Sequence, residues 1–509
     1  MNLEKILSEL GSYKPKLNMK TIEIRSEKSQ ILALCLLIKE NLEFSHFLNL
    51  HTVESENNQF DFHYTIYNQS LDLFIRIDLL DQPATESLSL SGVWHNALYH
   101  EKESFELFGT MFDSIVSKRR FLFPENLKGF PFLKSFDVFT EEQILPEPRK
   151  LNGFVSTPSL EMSSDEIIFD MSLDEKIVSH FDFEMGFRHI GMEKDAQGKS
   201  VDQMLGRLGY INPRSCTNWS LLLADAIESE YKIPVPEKAQ AIRMIVMELT
   251  RIREHLYTLL KMAKSSGYAD FYVNLSLWYQ QTSDQIDELL NHRNPLYSNC
   301  IGGVTQNIPG GWSTACLNYI SKLEKDISFE YKTMISSKLW TQKLNCGEIH
   351  RDDVICKSLS GPVMRAAGLN HDLRKSSSMY FYPDVSFDIP LGIGGKAFDR
   401  FLVLIEEIFQ SVKVLFQVLD NIPGGVSRGQ IITSDMFSEQ RYIYSCIEGA
   451  NGIISLNALV AEGKIKTLKL ASNSQNTLQV LKNVMIGSDY DDVDLIWHSL
   501  QINMSEVER

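Results

Sequence analysis

The chain has 509 residues, enough for about two to four folding units at roughly 150 residues each. Apolar residues make up 43% and charged residues 23%, with ordinary Gly and Pro usage, which excludes collagen-like, disordered and disulfide-scaffold classes. The 66 acidic and 50 basic side chains leave a formal charge of -16, which opposes a phosphate backbone, so nucleic acid is not an expected partner.

The seven cysteines, Cys35, Cys216, Cys300, Cys316, Cys346, Cys356 and Cys446, include no CxxC pair, which fits a reduced, cytosolic compartment. The longest apolar run, Ile31 to Ile38, is far short of the roughly 20 residues of a spanning helix. The start, MNLEKILSEL, lacks a basic-then-apolar signal pattern, so neither membrane insertion nor secretion is expected.

In residues 1–140 a helical stretch, SQILALCLLIKENLEF, is followed by the strand-like runs FDFHYTIY and LDLFIRIDLL, which predicts an α+β domain. Residues 141–153 carry charge, two prolines and no periodicity, and read as a linker. Residues 154–509 open on the strand-like IIFDMSL and then turn mostly helical, which predicts a helical bundle domain with β additions.

Asn212-Pro213 is a helix start, because the Asn side chain accepts a backbone N–H and Pro loses no hydrogen bond in a first turn. From Pro236 to about Met262, Ile242, Ile245, Val246, Leu249, Ile252, Leu256 and Leu259 form one apolar stripe. Arg243, Glu248, Arg251 and Glu254 mostly occupy the other faces of that helix. A third long helix, AFDRFLVLIEEIFQSVKVLFQVLD, stops at Asn421-Ile422-Pro423-Gly424-Gly425.

The cysteine spacings suit structural thiols better than zinc or iron–sulfur sites, and His95-x4-His100-Glu101 lacks the one-turn spacing of a zincin. Gly392 to Ala397 matches neither a dinucleotide nor a Walker pattern and reads as a turn. Without a dinucleotide fingerprint, neither nicotinamide nor flavin is expected to bind. Asp489, Asp491, Asp492 and Asp494 read as a solvated turn, lacking the EF-hand's glycine and terminal Glu. His189 and His255 are each either a proton carrier or a hydrogen-bonded structural histidine.

In the first domain, Glu103, Glu106-Leu107-Phe108-Gly109, Phe112, Arg119-Arg120, Leu122, Pro124-Glu125, Gly129 and Pro131 resemble the signature of the small hydrophilic C subunit of respiratory complex I. In the second, HIGMEK (189–194), VPEKAQAIRMIVMELTRIREHL (235–256), IGGV (301–304), GPVMRAAGLNHDLR (361–374), Asp388-Ile389-Pro390, Asp399-Arg400 and MIGS (485–488) resemble the D subunit of complex I. They are also similar to the large subunits of membrane-bound, formate hydrogenlyase type nickel–iron hydrogenases, as is the two-part fusion itself.

The resemblance implies a helical domain like the hydrogenase large subunit or the complex I D subunit, placed behind a domain like the C subunit. It implies a cytoplasmic-arm location, peripheral to the inner side of the cell membrane. The partners would be an iron–sulfur subunit and membrane ion-translocating subunits, and the complex would couple electron transfer to ion movement. The hydrogenases hold nickel and iron with two CxxC pairs. Counted back from Val235, the first pair falls on Asn212 and Ser215, and after MIGS the chain reads DYDDVDLIWHS, so all four thiolates are missing and no metal is expected.

The complex I quinone site implies a Tyr and a His as proton donors and an Asp supporting the His. Here Pro213 takes the Tyr register with Tyr210 three residues away, Thr157 and Glu161 take two His positions, and Ser265 takes the Asp position. The candidate quinone-cavity residues are therefore Thr157, Glu161, His189, Tyr210 and Ser265, with Tyr210, Glu161 and His189 as catalytic candidates. No cofactor is expected to bind directly, quinone is the candidate small molecule, and an iron–sulfur cluster belongs to a partner. Two readings stand: a redox subunit with a remodelled quinone cavity, or a catalytically silent scaffold.

Overall fold

A computed structural model describes residues 3–18, 20–55, 59–68, 70–85, 87–115, 119–123, 127–136, 154–156, 167–291, 296, 298–376, 379–429, 437 and 439–509. The linker 141–153 and the candidates Thr157 and Glu161 lie outside these residues.

The first region begins with α1 (Leu3–Glu9), β1 (Lys16–Asn18), β2 (Thr21–Arg25) and α2 (Ile31–Leu36), which runs on into a π-helical turn, Leu37–Asn41. Then come β3 (His46–Glu54), β4 (Gln59–Asn68) and β5 (Leu73–Pro83). The sheet order is β1-β2-β5-β4-β3, antiparallel except for the β2/β5 pair. Period-two alternation sends Phe60, Phe62, Tyr64 and Ile66 of β4 into one core with Ile31, Leu34 and Cys35 of α2. Helix α3 (Ala97–Phe108) stops at Gly109, whose φ of +78° favours glycine; an added Cβ would also lie 2.6 Å from the Phe130 ring.

A three-stranded antiparallel sheet follows: β6 (Phe154–Ser156), β7 (Ile168–Asp174) and β8 (Ile177–Glu184). Next are α4 (Met192–Asp195) and α5 (Val201–Leu208), the latter opened by a Ser200–Gln203 capping box. The Asn212 side chain accepts from the Arg214 N–H, at 3.2 Å, over a 3₁₀ turn that feeds α6 (Cys216–Glu230). Helices α7 (Glu237–Ser265) and α8 (Ala269–Leu290) pack side by side. The short pair β9 (Asn299–Cys300) and β10 (Gly303–Val304) leads to α9 (Trp312–Ser336). Four short helices, α10 (Lys338–Lys343), α11 (Arg351–Cys356), α12 (Gly361–Ala366) and α13 (Leu373–Ser376), precede α14 (Ala397–Asp420).

Helix α14 coincides with the predicted third helix, and the Gly392–Ala397 turn before it has a physical cause. The Asp399 carboxylate accepts the N–H groups of Ile393, Gly394 and Lys396 at 3.0–3.1 Å, drawing the glycine run around the helix start. Helix α7 differs from its expected profile. Its apolar stripe is buried, but Arg243, Glu248, Arg251 and Glu254 are buried as well, at 3% exposure or less, so no face meets solvent over that stretch.

The chain closes with the antiparallel sheet β11 (Arg441–Gly449), β12 (Gly452–Ala461) and β13 (Lys464–Ser472), then α15 (Asn473–Met485), α16 (Val493–Ser499) and α17 (Met504–Val507). This sheet lies against the first one. Asn457 on β12 donates to Asn49 at 2.8 Å and to Thr65 at 2.9 Å, and Leu48, Tyr67 and Phe74 pack on Leu373 and Ile453. No described helix is long and apolar enough to cross a membrane, and none of the seven cysteines is in a disulfide.

Candidate functional site

The last residues of the chain bind together the segments that carry the family-like motifs. Arg509 donates through Nε to Glu193 at 3.0 Å and through a terminal guanidinium nitrogen to Glu103 at 3.0 Å. Lys469 on β13 lies 2.7 Å from Glu103 and 3.4 Å from Glu193. All four side chains are buried, so the two cations and two carboxylates balance inside the protein. Burial alone would raise the Glu103 carboxyl; Lys469 and Arg509 reverse this and hold it well below the usual range. Glu508 accepts the N–H groups of Gly186 and Arg188, leading the chain into HIGMEK.

His189 opens that motif and sits against the first region, its ring 4.6 Å from Phe123 and 6.3 Å from Phe132 between centroids. Its Nδ1 accepts the Gly191 N–H at 3.1 Å, which puts the ring proton on Nε2. Burial, aided by Arg509, lowers its pKa to about 3, so the imidazole is neutral at physiological pH.

The other described candidates stand on different elements. Tyr210 follows α5 and is 56% exposed, with its backbone N–H bonded to Arg207 O at 3.0 Å. Ser265 is the half-buried last residue of α7. His255 is fully buried and hydrogen-bonds Glu407 at 2.9 Å, the structural histidine of the two alternatives.

Asn212 and Ser215 lie against the α17 segment. Asn212 donates to Glu506 at 2.9 Å, and Ser215 and Glu506 line one small cavity with Glu254. Ser474 Oγ donates to Glu506 at 3.0 Å and accepts the Asn503 N–H at 3.1 Å. The stretch the fold brings to Asn212 and Ser215 is thus Asn503–Glu506. Burial raises the Glu506 carboxyl, with the bonds from Asn212 and Ser474 offsetting part of the shift. Residues 489–492 instead form a 3₁₀ turn near the surface, where Lys343 holds Asp492 at 2.5 Å and Lys176 holds Asp491 at 3.2 Å, while Asp494 stands in the first turn of α16. An amide, hydroxyls and carboxylates do not supply the soft thiolates of a nickel–iron centre. Among the described residues no group of three or more His, Cys, Asp and Glu is arranged to hold a metal.

Sequence reading did not single out Glu506 or Arg509. The available signal was EVER at the C terminus, with three charged residues in four.

The chain matches the family model of the respiratory-chain NADH dehydrogenase 30 Kd subunit over residues 24–142 and that of the 49 Kd subunit over residues 281–436. It is 30% identical over 332 residues to the D subunit of NADH-quinone oxidoreductase from Desulforamulus reducens, covering 64% of this chain and 88% of the relative. The chain belongs to the D-subunit family of NADH-quinone oxidoreductases. The C/D subunit of the same enzyme from Bdellovibrio bacteriovorus is 25% identical over 452 residues, covering 84% of this chain and 79% of that relative, so the likeness extends to a C/D fusion. The fold is shared with a solved chain of the membrane-bound sulfane sulfur reductase, an archaeal respiratory membrane complex. That match has a TM-score of 0.66 at 21% identity and covers 70% of this chain and 98% of the other. In this member of the D-subunit family, the Arg509 cluster joins the 30 Kd-like part, through Glu103, to the C-terminal part.

Proposed function

We propose that this chain is a cytoplasmic-side component of a membrane-associated, complex-I-like oxidoreductase that couples electron transfer, to a quinone or similar acceptor, with ion translocation. One observation carries the reading: a single chain joins a 30 Kd-like and a 49 Kd-like part in C/D order. The expected partners are an iron–sulfur subunit, which holds the cluster, and membrane ion-translocating subunits. Residues 1–140 and 154–509 are proposed as the two domains, with 141–153 as the linker.

A quinone head group that takes two electrons also takes two protons, so its pocket needs donors. Tyr210, Glu161 and His189 are the proposed donors, with Thr157 and Ser265 as further polar lining. His189 enters as a neutral imidazole with its proton on Nε2, able to donate a hydrogen bond without first gaining a charge. A second reading, a silent scaffold that docks the iron–sulfur partner to the membrane module, is favoured by the exposure of Tyr210.

The deciding experiment is purification of the native complex, metal analysis, and reduction of a soluble quinone with an artificial electron donor. Quinone turnover with iron and without nickel supports the redox reading. Substituting Glu161→Gln or Tyr210→Phe should then lower turnover, and undiminished turnover removes that residue from the mechanism. An intact complex with membrane partners and no turnover establishes the scaffold.

A further inference from the structure

Where the first sheet meets β11, a cavity of about 640 Å³ opens between the two regions. That is within the roughly 300–1,000 Å³ of small-molecule sites, and none of His189, Tyr210 or Ser265 lines it.

Its walls come from both regions. From the first come Phe74, His51 and His63, and from the second Tyr380, Tyr442 and Tyr444. Asp78, His63 and Tyr442 form a hydrogen-bonded chain across the junction, with 2.7 Å from Asp78 to His63 Nδ1 and 2.9 Å from His63 Nε2 to the Tyr442 hydroxyl.

The charges of this lining do not cancel. Lys20 is paired with Asp72, and Arg76 is held by Asp78 and Glu23. Glu228 is paired with Arg243 at 2.7 Å, and Glu230 lies 3.5 Å from Arg441. Asp225 is the exception. One of its oxygens accepts the Ser445 hydroxyl at 2.6 Å, and it forms no ion pair among the described residues. Burial, with Glu228 nearby, raises its pKa to about 6, while Arg243 and Lys20, each engaged with its own carboxylate, offset only part of the shift. At pH 7.5 Asp225 is therefore mostly ionised and lacks a paired counter-ion.

His51 also lines the cavity. His51 is 3% exposed, and its Nδ1 has no hydrogen-bond partner among the described residues. Burial and the neighbouring His63 hold its pKa well below the ordinary value, so the ring is neutral and adds no positive charge to the cavity wall. The Asp225 carboxylate, ionised without a paired cation, asks for a guest that carries positive charge and N–H groups. Arg76 already lies over the Tyr442 ring at 4.3 Å and Arg243 by the Tyr380 ring at 6.0 Å, so the aromatic lining adds contact for an apolar body.

We propose that this junction is a binding site for an organic cation, a protonated amine with an apolar or aromatic body, with Asp225 as its counter-ion. The assignment goes beyond the redox or scaffold reading and does not depend on either.

The test is calorimetric titration of the full chain with benzylamine at pH 7.5, beside its neutral analogue benzyl alcohol. Benzylamine should bind at least about tenfold more tightly than benzyl alcohol; equal affinities, or no benzylamine binding up to about 10 mM, overturn the proposal. This comparison uses the unmodified chain, so it holds whether or not a variant folds. Asp225→Asn, which keeps an acceptor for Ser445, should weaken benzylamine by about tenfold and leave benzyl alcohol unchanged. Undiminished benzylamine binding in a folded Asp225→Asn chain refutes the site.

Discussion

Around Arg365 every charged partner comes from the C-terminal region, whereas around Arg509 the partners come from both. Arg365 donates to Glu407 at 2.6 Å and to Glu448 at 2.9 Å, and Glu407 in turn holds His255. These groups stand on α7, α12, α14 and β11, so the network exists only when those elements have packed. The Arg509 cluster instead reaches Glu103 on α3, across 406 residues of sequence. Similar chemistry thus does two jobs: the first cluster fixes one packing among helices, and the second adds Arg509 to the contacts that join two parts. Desolvation keeps buried ion pairs from adding much net stability, but removing one partner strands the other charge.

The largest effect is therefore expected at Arg365. Arg365→Met leaves Glu407 and Glu448 buried without their main cation and should cost about 3–5 kcal/mol in urea unfolding. A loss under about 1 kcal/mol would mean that the network is a bystander to packing.

Protonation separates carboxylates whose ion pairs outweigh burial from those where burial wins. Burial pushes the Glu407 carboxyl up, and Arg365 and His255 more than reverse this, leaving it at about 2 against an ordinary value of 4.5. Its contribution is present above pH 4.5 and is lost as pH falls towards 2. Glu106 is the opposite case. It accepts the N–H groups of Phe121, Leu122 and Phe123, yet burial still raises it to about 7. The folded state keeps that proton longer than the unfolded chain, so stability falls by about 3 kcal/mol as pH rises from 4.5 to 7. Unfolding curves across that window should flatten in Glu106→Gln, and an unchanged slope would assign it to other groups.

At the seam the expected loss is smaller, because Lys469 stays beside both carboxylates. Arg509→Met should cost about 1–3 kcal/mol. Its sharper readout is association: 1–140 and 154–509 made as separate chains should co-purify, and Arg509→Met should weaken that pairing while Arg365→Met disrupts the larger piece itself. Equal recovery of the pair with and without Arg509 would break the contrast.

How much was legible follows from the range of each signal. Strands β4, β5 and β7 and helices α7 and α14 were visible because period-two and period-3.6 patterns are local. The burial of Arg243, Glu248, Arg251 and Glu254 was not, because a charged residue on a helix reads as solvated until its partners are known. Those partners, such as Glu228 and Arg374, stand on other elements. The partner of Asn212 was not legible either, because Glu506 on α17 stands 294 residues further along the chain. Of the five cavity candidates, the described structure places His189 beside aromatic rings of the first region and Ser265 at a helix end, and no periodicity encodes such meetings.

Tyr210 gives the smallest expected effect on stability. The residue is 56% exposed, and replacing a hydroxyl on an exposed side chain should shift unfolding by no more than about 0.5 kcal/mol for Tyr210→Phe. That near-silence makes the variant informative, since a fall in quinone turnover could not then be charged to a damaged fold. A destabilisation of about 2 kcal/mol or more would place the hydroxyl in a buried contact once the partner subunits are bound, turning the exposed ring into part of an interface.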